Sequence, residues 1–327
     1  MRAVWLKEFG GPEALVAGEA PDPVAGPGQV VVAVAYANIT FVETQVRAGT
    51  GPFPVSLPMI PGNGVGGVVA AAGPGVDPGL VGTRVVTATG GSGGYAERVA
   101  VDATALVPVP AGLALDDAVA LLADGRTALL LVDAANPRPG ERVLVEAAAG
   151  GVGSLLVQAA SAAGARVAGV AGGDRKLATV RDLGAEAAVD YRRPGWDGEV
   201  RAALGGGVDV VFDGVGGGVA RTAFGLLAPG GRLLSYGLAS GGWADVGDDE
   251  AAARGVTLVR GVPSTPEALR AATERALARA AEGVWHPVIG QRVPLAAAAE
   301  AHAAIESRAT IGKTLLVVDD GREPERQ

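Results

Sequence analysis

A glycine-containing segment in the middle of the chain has the residue types and spacing of a nucleotide-binding turn. Residues 142–158 read Arg-Val-Leu-Val-Glu-Ala-Ala-Ala-Gly-Gly-Val-Gly-Ser-Leu-Leu-Val-Gln. The spacing Ala148-x-Gly150-x-x-Gly153 is a variant of the G-x-G-x-x-G fingerprint, with alanine first. Gly150 permits a tight turn and close backbone approach, and Gly153 permits close helix–sheet packing, so the free N–H groups of the helix face a pyrophosphate.

The elements around this turn strengthen the interpretation. A β-branched run at 143–147, a helix-forming run at 154–163 that ends at Gly164, and a second β-branched run at 166–170 predict a βαβ unit. An ordinary strand–helix turn is the alternative, because the chain has 52 glycines. The predicted dinucleotide contacts in this turn are Ala149, Gly150, Gly151 and Val152.

Composition limits the possible classes of protein. The 327 residues are 49% hydrophobic but only 4% aromatic, so the core must consist mainly of Ala, Val and Leu. A chain with no cysteine has neither disulfides nor thiolate metal sites, which is typical of a cytoplasmic protein. A formal net charge of −8 argues against nucleic-acid partners, and no apolar run is long enough for a membrane helix.

The pattern of short elements predicts two domains. Up to residue 117, β-branched runs at 30–34, 67–71, 84–87 and 96–101 are broken by Gly and Pro, which favours a β-barrel-like domain. A helix at 115–131 follows, and strands then alternate with helices, which predicts a doubly wound parallel sheet. The predicted strands of this sheet are 143–147, 166–170, 187–190, 209–212, 232–236 and 257–260.

The pattern changes again after residue 263. Thr265 and Pro266 predict the N-cap and first residue of a helix that ends near Glu282. Strand, helix and strand are predicted at 284–293, 296–305 and 314–318. We expect the last strand to return to the first domain, so the predicted domains are 1–117 with 264–327, and 118–263.

Four segments in order resemble a known family over almost the whole chain. They are 9–15 (Phe-Gly-Gly-Pro-Glu-Ala-Leu), 93–97 (Gly-Gly-Tyr-Ala-Glu), 147–153 (Ala-Ala-Ala-Gly-Gly-Val-Gly) and 307–313 (Ser-Arg-Ala-Thr-Ile-Gly-Lys). The chain resembles zinc-independent quinone oxidoreductases of the medium-chain dehydrogenase/reductase superfamily, the zeta-crystallin-like branch. The resemblance implies a GroES-like catalytic domain with an inserted Rossmann domain, an NADPH cofactor and a homodimer.

The resemblance also places Thr40 and Asn63 where zinc-dependent relatives have cysteine and histidine ligands. Hydroxyl and amide groups are poor zinc ligands, so no metal is expected. Gly64 differs from the acidic residue that is common at this place even in zinc-free relatives.

The predicted second strand ends in a Gly–Gly pair without the carboxylate that normally binds the ribose of NAD. The resemblance implies that Lys176 and Tyr191 contact the 2′-phosphate of NADPH, and a cation suits that group. Asp174 could instead bind a ribose diol, and the basic residues could be a solvated helical turn. The contacts expected in this region are Gly172, Gly173, Arg175, Lys176 and Tyr191.

The resemblance implies further cofactor contacts, for each of which an ordinary strand-end turn is the alternative. These contacts are Thr127, Val215, Gly237, Leu238 and Lys313.

The expected chemistry is hydride transfer from NADPH to an electron-poor carbon conjugated with a carbonyl, in a small quinone or α,β-unsaturated ketone. The developing oxyanion needs a hydrogen-bond donor and then a proton. Thr40, Asn63 and Tyr95 are the candidate catalytic residues, and Asn38 is a weaker one. An enoyl-thioester reductase and a non-catalytic NADPH-binding protein stay open as alternatives.

Overall fold

This computed structural model describes residues 1–263 and 265–318, which divide into two units. The first unit contains Met1–Ala123, Thr273–Val284 and the residues from Val288 onwards, and the second contains Asp124–Ala272 and Trp285–Pro287. The domain limits expected from the sequence, after residues 117 and 263, remain a prediction. The part of the predicted first domain that follows residue 318 lies outside the described residues.

The described residues form fifteen strands and nine α-helices. The strands are β1 Arg2–Leu6, β2 Leu15–Glu19, β3 Gln29–Ile39, β4 Gly64–Ala72, β5 Arg84–Ala88, β6 Arg98–Asp102, β7 Val107–Pro108, β8 Arg142–Glu146, β9 Arg166–Ala171, β10 Ala187–Asp190, β11 Val208–Asp213, β12 Leu227–Ser235, β13 Thr257–Arg260, β14 Ile289–Pro294 and β15 Lys313–Val317. The helices are α1 Phe41–Ala48, α2 Leu115–Ala135, α3 Gly151–Ala162, α4 Asp174–Asp182, α5 Trp196–Leu204, α6 Gly217–Leu226, α7 Asp248–Ala253, α8 Pro266–Ala281 and α9 Ala298–Glu306.

The first unit is built on a seven-stranded sheet. Its strands lie in the order β14-β15-β3-β4-β5-β7, and β6 pairs with β3 beyond this path. The last strand pairs antiparallel with β3, with Thr314 opposite Ile39, as expected from the sequence. Valines dominate its core, since Val30, Val32 and Val65 are completely buried. β-Branched side chains therefore fill the interior that the scarce aromatic residues do not.

The second unit is built on a six-stranded parallel sheet in the order β10-β9-β8-β11-β12-β13. This order is that of a Rossmann sheet, and helices connect the strands, so the predicted doubly wound sheet is confirmed. Because the strands are parallel, the carboxyl ends of β8 to β12 lie along one edge. Ligands bind at that edge in folds of this kind.

Several details differ from the sequence-based expectations. The strand predicted at 284–293 begins only at Ile289, because the side chain of Gln158 binds both the N–H of His286 (2.9 Å) and its carbonyl (3.0 Å). Helix α3 begins at Gly151, three residues earlier than predicted, with Gly150 as its N-cap. Helix α1 was not predicted.

The start of α8 agrees with the sequence. The hydroxyl of Thr265 accepts a hydrogen bond from the N–H of Ala268 at 3.2 Å, so Thr265 caps α8 as predicted. Within the described part of the chain, no helix combines the length and the apolar character that a membrane span requires.

Candidate functional site

The glycine turn after β8 is tight, but its strained residue is not the predicted one. Ala147 has a φ of 47°, whereas Gly150 has a φ of −82°, which any residue can adopt. The close approach occurs at Gly153, where an added Cβ would lie 2.3 Å from the carbonyl oxygen of Ala147. A side chain at position 153 would thus push α3 away from the sheet. The predicted packing role of this glycine agrees with the geometry.

Helix α3 points its N-terminus at the carboxyl edge of the sheet. Ser154 N–H donates to the carbonyl of Gly150 at 2.9 Å, and the N–H groups before it lack intrahelical partners, as at the start of any helix. Ala149 is buried, whereas Gly150, Gly151 and Val152 are half-buried. A Cβ on Gly151 would lie 1.8 Å from an oxygen of Asp124, so the carboxylate of Asp124 also lies beside this turn.

An arginine covers the Gly–Gly pair that ends the second strand of the sheet. A Cβ on Gly172 would lie 3.1 Å from Cδ of Arg192, and one on Gly173 would lie 3.2 Å from its Nη2. Asp190, at the end of β10, holds this arginine through Nη2–Oδ2 (2.6 Å) and Nε–Oδ1 (2.9 Å) contacts. Asp190 also accepts the N–H of Gly173 at 3.1 Å. Arg192 is not among the contacts predicted from the sequence.

The charge on Arg192 changes the acid–base behaviour of Asp190. Hydrogen bonds from Arg192 lower the pKa of the Asp190 carboxyl to about 2. The side chain of Asp190 is 4% exposed, whereas that of Arg192 is 60% exposed. The pair therefore presents a fixed, solvent-facing guanidinium beside two glycines.

The other predicted contacts near these glycines occupy the same edge of the sheet. Arg175 is exposed and Lys176 is half-buried, both in the first turn of α4, and Tyr191 is half-buried just after β10. Asp174 is exposed and lies 3.9 Å from Arg193. The structure thus brings the predicted basic residues and Arg192 to one region of the second unit.

The turns after β11 and β12 complete this edge. Val215 is buried, and a Cβ on Gly237 would lie 2.6 Å from the carbonyl of Gly214, so the two turns approach closely. Leu238 is half-buried in the second turn, and Thr127 is half-buried on α2. The remaining predicted contact, Lys313, is buried in the first unit.

A buried glutamate joins two of the candidate catalytic residues in the first unit. Glu43 accepts the N–H of Thr40 (2.5 Å) and its hydroxyl (3.1 Å) through one carboxylate oxygen, and the N–H of Asn63 (2.8 Å) through the other. Thr40 is the N-cap of α1 and Glu43 is its third residue, which together form a capping box. The Thr-x-x-Glu spacing is visible in the sequence and signals this arrangement.

Burial raises the pKa of Glu43, although three hydrogen bonds and the charge of Lys313 oppose the rise. Thr40 is half-buried and Asn63 is exposed. Glu43 therefore fixes the backbone at both residues, and Asn63 is the more exposed of the two.

Asn38 lies where a side chain at position 64 would be. A Cβ on Gly64 would lie 2.6 Å from Nδ2 of Asn38 and 2.9 Å from Cδ2 of Leu122. Asn38 is 2% exposed, and its Oδ1 has no hydrogen-bond partner within the described residues. The amide of Asn38 thus takes up the space next to Gly64.

Tyr95 lies in the interior of the first unit. It is completely buried, and its hydroxyl is 2.9 Å from Nε2 of His302, which is also completely buried. Burial raises the pKa of the Tyr95 hydroxyl well above its usual range. The charge of Glu43, which binds Thr40 and Asn63, also contributes to this rise, and the catalytic role of Tyr95 stays a prediction.

Metal-binding side chains are not grouped in the described ranges 1–263 and 265–318. No three His, Cys, Asp or Glu side chains there lie close enough together to hold an ion.

Comparisons with known proteins identify the class. Residues 26–111 match the alcohol dehydrogenase GroES-like domain, and residues 151–277 match the domain described as zinc-binding dehydrogenase. A GroES-like domain combined with a Rossmann sheet is the architecture of the medium-chain dehydrogenases/reductases.

Full-length relatives identify the family. A quinone oxidoreductase from Pseudomonas aeruginosa is 33% identical, with 97% of this chain and 99% of the relative aligned. A 2-haloacrylate reductase from a Burkholderia species is 32% identical, over 96% and 98%. The structure of Escherichia coli quinone oxidoreductase complexed with NADPH superposes with a TM-score of 0.89 at 30% identity, over 97% of this chain and 100% of that chain. The chain belongs to the quinone oxidoreductase family of medium-chain dehydrogenases/reductases.

Proposed function

We propose that this protein is an NADPH-dependent reductase that transfers hydride to a quinone or an α,β-unsaturated carbonyl compound without a metal. The family relationship supports the reaction class, since the relatives include quinone oxidoreductases and a reductase of 2-haloacrylate. The observation that carries the choice of cofactor is the guanidinium of Arg192, held beside Gly172 and Gly173.

The residues at the edge of the second sheet fit NADPH better than NADH. A ribose with two free hydroxyls normally binds a carboxylate acceptor at the end of the second strand, but two glycines follow this strand. Asp190 lies nearby, yet Arg192 occupies both of its oxygens. A 2′-phosphate would instead receive charge-assisted hydrogen bonds from Arg192, with Lys176 and Arg175 as further cations. The helix α3 N-terminus and the glycine turn would hold the pyrophosphate.

Further cofactor contacts are assigned on the family resemblance. We propose that Val215, Gly237 and Leu238 line the cofactor where the strands end, and that Thr127 and Lys313 contact it as well.

When bound, NADPH would supply a hydride to the electron-poor carbon of the substrate. The protein must then stabilise the negative charge that develops on the substrate oxygen. We assign this role to the amide of Asn63 and to the hydroxyl of Thr40, whose single proton must turn from the Glu43 carboxylate to the substrate oxygen. Glu43 accepts the backbone N–H of both residues, so it fixes the spacing between the two donors. Tyr95 would support them from the interior, because its ring packs against Gly62. A Cβ added to Gly62 would lie only 2.5 Å from Cδ1 of this ring.

The chemistry of the donor set supports a metal-independent reaction. Thr40 is engaged as a helix cap, and Asn63 offers an amide, which is a weak ligand for zinc. Metal analysis of the purified protein, with activity measured before and after chelation, tests this point. Stoichiometric zinc whose removal abolishes turnover would contradict the proposal.

We further propose a homodimer in the cytoplasm. Strand β13 is the edge of the parallel sheet and can pair with its copy in a second chain. Light scattering gives the mass in solution. A monomer would contradict the dimer but not the reaction.

The deciding experiment is the oxidation of NADPH and NADH against a panel of quinones, enones, 2-haloacrylate and enoyl thioesters. We expect turnover with NADPH and a quinone or enone. Preference for enoyl thioesters would favour the second enzyme class, and tight NADPH binding without turnover would indicate a non-catalytic protein. Failure of both coenzymes to bind would overturn the proposal.

A further inference from the structure

Two carboxyl groups are buried together at the carboxyl edge of the second sheet. Glu146 ends β8 and Asp213 ends β11, and these strands are neighbours with Val145 opposite Phe212. Both acidic residues are 0% exposed. Both also accept the same donor, the N–H of Val215, each at 3.2 Å. The two side chains therefore meet at one point of the turn after β11.

The donors around the pair are divided unequally. Asp213 also accepts the N–H of Gly216 at 2.7 Å and the hydroxyl of Ser235 at 2.8 Å. Glu146 accepts the shared N–H of Val215 and has a side-chain hydrogen bond with Asp213, and its Oε1 has no hydrogen-bond partner within the described residues. The surroundings thus satisfy a carboxylate at Asp213 but not a second one at Glu146.

Electrostatics leads to the same assignment. Burial and the adjacent Asp213 raise the pKa of Glu146 well above its usual range. Among the described residues, no cation contributes to the pKa shift of Glu146, and Arg126 interacts instead with Asp124. The other titratable groups near it are Tyr236, whose hydroxyl lies 3.4 Å from the carbonyl of Glu146, and Asp124, which also acts on Tyr236. Since two adjacent buried anions without a counter-charge are strongly unfavourable, one of the two carboxyl groups must carry a proton.

We propose that Glu146 is a positioning residue that carries a proton at neutral pH and, as a neutral acid, fastens the Asp213–Gly216 turn to the end of β8. Loss of this proton in alkaline solution places two anions on one N–H group and releases the turn. If the proposed function is right, the turn lines the cofactor, so NADPH binding weakens as Glu146 ionises. The stability effect itself does not depend on that function.

The first test is the pH dependence of unfolding, measured by urea denaturation from pH 5 to pH 9 on the full chain. Glu146 holds its proton only in the folded protein, so its contribution is fully present below its unfolded pKa and is lost as pH rises. The ratio of the wild-type unfolding constant to that of Glu146→Gln should rise about tenfold per pH unit until the buried acid ionises. The same ratio for the exposed Glu199→Gln should stay constant. A flat ratio for Glu146→Gln would overturn the proposal.

The infrared spectrum provides a test that needs no folded Glu146 variant. A protonated carboxyl band should be present in the wild type at neutral pH. As the pH is raised, this band should disappear earlier in Asp213→Asn than in the wild type, because the neighbouring charge is removed. Absence of that band from the wild type at neutral pH would overturn the assignment.

NADPH titration separates this inference from the proposed function. The ratio of the NADPH Kd of the wild type to that of Glu146→Gln should be constant at low pH and should rise over the pH range in which Glu146 ionises. Glu146→Gln keeps a hydrogen-bond donor toward Asp213, whereas Glu146→Leu should bind NADPH more weakly at every pH. If neither the wild type nor any variant binds NADPH, the proposed function fails, while the unfolding ratio still decides the role of Glu146. A pH-independent ratio of Kd values would refute the link to the cofactor.

Discussion

Replacement of Arg192 by alanine tests the proposed cofactor preference at the residue that carries it. The guanidinium lies over Gly172 and Gly173 and is held there by Asp190, so it is positioned before any ligand arrives. Removing it takes away the hydrogen bonds to a 2′-phosphate without changing the rest of the cofactor surface. We expect Arg192→Ala to weaken NADPH binding and to leave NADH binding nearly unchanged.

The size of the effect follows from the exposure of the pair. Hydrogen bonds to charged groups contribute about 1.5–3 kcal/mol each. Because the side chain of Arg192 is 60% exposed and already paired with Asp190, we use the low end of that range. About 1.5 kcal/mol corresponds to a loss of roughly tenfold in Kd. Arg192→Lys should lie between alanine and the wild type, since it keeps the charge but loses the planar fork.

Fluorescence titration with NADPH and NADH measures both affinities on the same protein. The control is Arg201→Ala, an exposed arginine in the last turn of α5, which changes the net charge equally. An equal loss for both coenzymes would show that Arg192 supports the fold rather than the phosphate. An unchanged NADPH affinity would refute the reasoning and transfer the role to Lys176 and Arg175.

Three further predictions concern residues fixed by the structure. Asp190→Asn should lower the free energy of unfolding at neutral pH by about 1–2 kcal/mol. The pKa of Asp190 is lowered from 3.8 to about 2 in the folded protein, so its stabilisation is present above pH 3.8 and is lost on acidification. Urea unfolding at pH 7 and pH 3 measures the effect, and an equal loss of stability at both pH values would contradict it. His302→Gln should reduce the loss of unfolding free energy that accompanies acidification. Burial lowers the pKa of His302 from 6.5 to about 3, so each pH unit between these values costs the wild type about 1.4 kcal/mol of unfolding free energy. An unchanged dependence of the melting temperature on pH would refute this. Thr40→Val and Asn63→Ala should each lower kcat by about 10²-fold, as lost oxyanion donors do, with NADPH affinity retained; steady-state kinetics checks this, and unchanged kcat would contradict the assigned role.

Local patterns explain why much of the fold is predictable from the sequence. Five of the six parallel strands have observed bounds that agree with prediction within one residue, and four of these five contain at least two β-branched residues. The exception is β12, which begins at Leu227 although the predicted strand began at 232, because the Pro-Gly-Gly sequence at 229–231 looks like a turn. Its register with β11 is irregular between Val208 and Val210, and only pairing with β11 extends it so far.

Contacts between distant residues explain what the sequence does not reveal. Arg192 is one of two consecutive arginines, and only the fold shows that Asp190 directs it over the glycines. Tyr95 and His302 are 207 positions apart, so their contact has no sequence signal. Glu43 is different, because its Thr-x-x-Glu spacing is readable as a helix cap.

Acidic side chains that accept backbone N–H groups fix candidate contact residues within each unit. Glu43 joins the backbones at Thr40 and Asn63, Asp190 joins Gly173 to the segment that follows β10, and Asp213 closes the turn after β11. In each case a short acidic side chain accepts backbone N–H groups from a segment that carries a candidate ligand contact. A chain with 52 glycines and 4% aromatic residues has few large side chains to hold such segments by packing. Carboxyl groups that bind the backbone supply the missing rigidity, and burial makes their protonation states part of the geometry of the site.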